Sequence, residues 1–98
     1  MEILTNTQIE GWLKEHPEWT LQDGFLQRTF LFQDFNETYG FIARVALLAE
    51  ALQHHPDWSG TYRTVTIRLR THDVDGITEK DLVFAKKASA FVEKEMDA

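Results

Sequence analysis

The sequence predicts an α+β fold: two layers, with a four-stranded antiparallel sheet carrying its helices on one face, built as strand pair and helix twice over after an N-terminal helix. Three observations lead there. Helical and extended periodicities arrive in runs, without the regular strand–helix–strand alternation of a parallel sheet. From Tyr62 to Arg70 the chain alternates strictly, Val65, Ile67 and Leu69 against Thr64, Thr66, Arg68 and Arg70, as a strand with one wet face does. His16-Pro17-Glu18-Trp19 is echoed 39 residues later by His55-Pro56-Asp57-Trp58, each time closing a helix and opening an extended segment. The echo fits two related units, and it fits equally two independent helix stops.

The elements follow in order. Thr5 and Thr7 each precede by three residues a side chain that can complete a capping box, Gln8 or Glu10, and Ile9, Trp12 and Leu13 then recur at helical spacing. This first helix ends at His16, because Pro17 cannot continue it. Trp19 to Leu21, the turn signal Asp23-Gly24, and Phe25 to Phe32 read as a β-hairpin. Asp34 with Glu37 caps a long helix, Phe35 to His54. It bears one apolar stripe at Phe35, Tyr39, Ile42, Ala46 and Ala49 and a second at Phe41, Val45, Leu48 and Leu52. That arc is wider than one sheet face covers. Either a subunit partner takes the second stripe, or the first and last helices of the same chain do. Gly40 inside the helix points to a close backbone approach. Pro56 stops the helix, a short extended piece surrounds Trp58, and the alternating strand follows. After the Asp- and Gly-containing loop Thr71 to Ile77, a last helix starts at Thr78 and buries Leu82, Ala85, Ala88 and Val92, with Phe91 beside them.

Composition bounds the function. Ninety-eight residues give one modest core, so residues 1–98 are read as a single domain. Sixteen acidic against ten basic residues leave a formal net charge of −6, which repels phosphate backbones and anionic membranes, so neither nucleic acid nor membrane is expected as a partner. The absence of cysteine removes disulfides, thiolate zinc sites and a cysteine nucleophile. No basic leader opens the chain, and no apolar run nears the ~20 residues of a membrane span. A cytoplasmic location is the expectation.

Chemistry concentrates on histidine. His54 and His55 end the long helix and His72 ends the strand, so a shared rim is within reach in a two-layer domain. Imidazole exchanges protons near neutrality, which suits it to acid–base work. His55 before Pro56 also suits a helix C-cap, as His16 does before Pro17. Zinc held by His54, His55, His72 and Asp73 or Asp75 is a further reading, but the i, i+4 pair of helical zinc sites is missing, and no metal is expected. Thr78-Glu79-Lys80-Asp81 has the capping-box pattern, which accounts for Asp81 without catalysis. Arg68 and Arg70 can hold an anion or merely solvate the sheet.

Glu50, His54-His55-Pro56, Tyr62, His72 and Asp81, seven positions over 32 residues, reproduce in type and spacing the signature of the pterin-4a-carbinolamine dehydratases. The similarity extends through Phe32-Gln33-Asp34-Phe35-Asn36-Glu37, Gly40-Phe41, Arg44-Val45-Ala46 and Ala49-Glu50, roughly residues 19 to 90. The resemblance implies a hydro-lyase that eliminates water from 4a-hydroxytetrahydropterin to give quinonoid dihydropterin, recycling the pterin of aromatic amino acid hydroxylases with no cofactor. By matching positions, His54 and His72 would be the principal acid–base residues and His55 would hold or assist the substrate. The assignment of acid and base stays open. Gln53, Thr71 and Asp73 would line the pterin site, Pro56 would set its rim, and Glu50, Tyr62, Lys80 and Asp81 would support it. Lys80 departs from the arginine frequent there in the family, and Arg68 and Arg70 replace smaller polar residues of animal members. The resemblance also implies a homo-oligomer, dimer or tetramer, through helix 35–54 and the sheet edge. Some animal members act as dimerisation cofactors of a homeodomain transcription factor through the same helix, which is the rival function.

Overall fold

A computed structural model describes residues 2–96. Helix α1 (Asn6–Glu15) is capped by Thr5, whose hydroxyl accepts from the Gln8 amide while the Gln8 side chain accepts from the Thr5 amide. Strands β1 (Thr20–Gln22) and β2 (Phe25–Leu31) form the hairpin. Its turn residues Asp23 and Gly24 both have positive φ, 52° and 82°, the demand of a type I′ turn. Helix α2 (Phe35–Leu52) starts at Asp34, whose carboxylate accepts from the Glu37 amide at 2.8 Å. Strands β3 (Asp57–Gly60) and β4 (Thr64–Leu69) lead to α3 (Glu79–Met96).

The sheet is antiparallel throughout, in the order β1-β2-β4-β3. Its centre is the long-range pair β2–β4, with Leu26 opposite Leu69 and Phe30 opposite Val65. These residues, with Ile67, face α2 and α3 and are buried. The expected four-stranded sheet with helices on one face is therefore the observed one. The β-pattern of Tyr62 to Arg70 shortens to β4, because Tyr62 and Arg63 are used in the bend between β3 and β4.

The second stripe of α2 needs no subunit partner. Phe41 and Val45 are buried, Leu48 and Leu52 pack on the same core, and the Phe91 ring of α3 meets Phe41 edge-on at 6.5 Å. Of the other stripe, Ala49 is buried and Ile42 packs on the core; the surface left open is that of Phe35 and Tyr39, with Leu47, outside both stripes, 73% exposed. Gly40 is likewise exposed, and a Cβ there would meet nothing within 4 Å, so the expected close approach does not exist.

The two His-Pro-acid-Trp copies have diverged in environment. Trp19 is 2% exposed and donates from Nε1 to Ser89 Oγ at 2.9 Å, whereas Trp58 is 54% exposed on the edge strand. Arg28 crosses the helix-facing side of β2 and donates from Nη1 to the same Ser89 oxygen at 2.9 Å. Burial of the guanidinium lowers its pKa, against the opposing pull of Glu18 and Glu93. One serine oxygen thus accepts from a buried indole and a half-buried cation. Removing it leaves both donors without that acceptor, at a cost of about 1–3 kcal/mol. Ser89→Ala should lose that much in urea-unfolding free energy, with little change in the m-value.

Candidate active site

Three segments meet at one corner: the end of α2, the end of β4 and the start of α3. Helix α2 stops two residues earlier than its periodicity suggests. Gln53 takes a left-handed conformation (φ 51°) and donates to Glu50 O, and the His54 amide reaches back to Ala49 O at 3.1 Å. This is the Schellman pattern, executed without glycine at a cost of roughly 1 kcal/mol or more. It leaves His54 just outside the helix.

Beyond β4 the chain closes a small loop. The Thr71 amide donates to Gly76 O at 2.9 Å, the Asp75 amide donates to His72 O at 3.2 Å, and Asp75 has φ 59°. Arg70 ties this loop from below, its Nη2 donating to Asp75 O at 3.0 Å and to Asp75 Oδ1 at 2.7 Å.

Asp81 joins the three segments. It is fully buried. Its Oδ2 accepts from the Thr78 amide at 2.9 Å, the capping contact the sequence predicts, and from Thr71 Oγ1 at 2.8 Å. The Thr71 proton being spent there, Thr78 Oγ1 donates to Thr71 Oγ1 at 2.7 Å. The other oxygen, Oδ1, lies 2.5 Å from His54 Nε2. A carboxylate only accepts, so Nε2 carries the proton it donates to Asp81, and Nδ1 is the nitrogen left outside this contact. Asp81 is thus both a cap and the partner of a histidine, one role per oxygen.

His55 Nε2 lies 2.8 Å from Glu50 Oε1, a pair open to solvent and therefore worth at most ~1 kcal/mol. Gln53, His54, His55, Arg70, Thr71, His72, Asp73 and Lys80 line one cavity of ≈ 180 Å³. All three predicted catalytic histidines border it. Glu50 and Pro56 border instead a larger apolar groove of ≈ 280 Å³ between α2 and the β3 edge, which His55 also touches. That groove offers little proton chemistry, so the smaller cavity is the candidate site. Tyr62 stacks on Phe35 at 6.0 Å, outside the lining of the cavity. Arg70 escapes sequence reasoning because alternation assigns it to the wet sheet face, although its place next to Thr71 was a usable signal. Among the described residues, no group of three or more His, Asp or Glu is arranged to hold a metal ion.

Fold and site together define a small α+β protein with an imidazole-lined pocket. The sequence profile of the pterin 4 alpha carbinolamine dehydratases matches residues 2–91, and the chain belongs to that family of hydro-lyases. A relative from Prochlorococcus marinus (strain MIT 9313) that carries the family's name is 51% identical over 84 residues, 86% of this chain and 88% of its own. One from Chelativorans sp. (strain BNC1) is 45% identical over 93 residues, covering 93% and 95%. The crystal structure of a transcriptional coactivator/pterin dehydratase from Brucella melitensis superposes with a TM-score of 0.87 at 37% identity, covering 91% of this chain and 97% of that one. A pterin dehydratase-like RuBisCO assembly factor of the alpha-carboxysome shares the fold at a TM-score of 0.66 and 25% identity, over 74% of this chain and 87% of that one.

Asp81→Asn tests the division of labour between the two oxygens. The Asn carbonyl must keep accepting from the Thr78 amide, which turns the new NH₂ toward His54 and forces its proton onto Nδ1. The variant should stay folded, losing about 1–3 kcal/mol in thermal or urea unfolding. Its turnover should fall roughly 100-fold, the low end of what general acid–base catalysis supplies.

Proposed function

We propose that this chain dehydrates 4a-hydroxytetrahydropterin to quinonoid dihydropterin by histidine acid–base catalysis, as a step of pterin recycling in the cytoplasm. The observation that carries the reading is the convergence of His54, His55 and His72 on one cavity, two of them already paired with a carboxylate. Breaking the bond between C4a and its hydroxyl requires a proton on the leaving oxygen while a ring nitrogen gives one up, so that water departs and the ring gains a double bond. His54 and His72 are the residues to exchange those protons. With Nε2 held by Asp81, His54 has Nδ1 for the task. His55 holds or assists the substrate, with Gln53, Thr71, Asp73 and Lys80 around it and Pro56 at the rim.

A second reading has one specific support, the coactivator half of the Brucella protein's description. In it, the exposed side of α2 is an assembly surface for a second copy or another helix, with the β3 edge beside it. Both roles can reside in one chain, because they use different surfaces.

Freshly generated 4a-hydroxytetrahydropterin, followed by stopped-flow absorbance, should be dehydrated faster with the protein than without it. Replacing His54 and His72 together by Ala should lower that rate by about 10²–10⁴-fold while the chain stays folded, less stable by about 1–3 kcal/mol because buried Asp81 loses one donor. Full activity in the double variant would overturn the enzyme assignment. Leu47→Glu, on the exposed side of α2, should reduce the oligomeric mass seen by light scattering, and an unchanged mass would remove α2 as the interface.

A further inference from the structure

Each imidazole in the pocket needs something to hold its plane. His54 has Asp81 and His55 has Glu50. His72 is exposed and, among the described residues, makes no side-chain hydrogen bond; its ring contact is the edge of Phe25, at 6.3 Å between centroids and 65° between planes.

Phe25 is itself anchored. It is the first residue of β2, directly after the Asp23-Gly24 turn, and the Leu26–Leu69 register sets it near Arg70 on the open face of the sheet. The Arg68 guanidinium lies 4.1 Å from its ring centroid and that of Arg70 lies 5.7 Å away. Arg70 in turn grips Asp75 in the loop that carries His72. Gly24, at φ 82°, lies against the same guanidinium: a Cβ there would stand 3.4 Å from Arg70 Nη1. The hairpin tip, two guanidiniums and the 71–76 loop therefore form one assembly against His72.

We infer that Phe25 is the positioning residue of His72, the ring that fixes the third imidazole as Asp81 fixes the first. The catalytic consequence rests on the dehydratase reading; the positioning itself does not. Phe25 touches no reacting atom and acts only through His72, so its loss should appear in kcat more than in KM.

The test uses the full-length protein and three substitutions. Phe25→Leu keeps apolar bulk without a ring, Phe25→Ala removes both, and Phe25→Tyr keeps the ring. An edge-to-face ring contact can supply roughly 2- to 10-fold, so Phe25→Leu and Phe25→Ala should lower kcat within that range with KM unchanged within about twofold. Phe25→Tyr should restore kcat to within about twofold of the parent. In parallel, NMR of the His72 ring protons, assigned with His72→Gln, should show a ring-current shift lost in the Leu variant and kept in the Tyr variant. Leu and Tyr variants with equal kcat would overturn the inference, as would His72 resonances unmoved in the Leu variant. If the parent protein fails to dehydrate the pterin while the His72 resonances respond as stated, the dehydratase reading falls and the positioning role stands.

Discussion

Asp81 is a fully buried carboxylate that accepts from three donors, and the functional corner of the molecule is arranged around that fact. An ionisable group withdrawn from water is tolerated only where hydrogen bonds replace its hydration. The Thr78 amide, the Thr71 hydroxyl and the His54 ring provide them. Because these donors come from the start of α3, the end of β4 and the turn after α2, satisfying the carboxylate also fixes the relative placement of three elements. The pocket is the space left between them.

The price of such a joint is local strain and an unusual helix end. Gln53 adopts a left-handed conformation that glycine would take more easily, and it does so one residue before His54. The Schellman turn releases His54 from the helical direction and lets it face α3. The long helix contributes its core through Phe41, Val45 and Ala49 and its chemistry through the residues it sheds.

Much of this was legible in the residues. The capping signals at Thr5, Asp34 and Thr78, the strict alternation of Val65, Ile67 and Leu69, and the Pro stops gave the order of the elements. The seven-position signature named the histidines. Other features required three dimensions. Periodicity shows that α2 has two apolar stripes, but which one α3 covers depends on how two distant helices cross, so sequence leaves the second stripe open between a partner and the chain's own helices, and Phe91 of α3 meets it at Phe41. Tyr62 fits the signature by spacing, yet a spacing carries no direction, and the side chain stacks on Phe35. Phe25 reads from sequence as a hairpin residue, because the pairing that brings it beside His72 joins β2 to β4, strands that all of α2 and β3 separate in the chain.

That pairing has a kinetic meaning. The hairpins β1–β2 and β3–β4 close locally, but the central seam, Leu26 against Leu69 through Leu31 against Thr64, must wait until all of α2 has been spanned. Loop-closure entropy is spent before those contacts return anything. The corner that holds the histidines lies at one end of this seam, so it is completed late in folding and is lost whenever the seam opens, even while both hairpins persist.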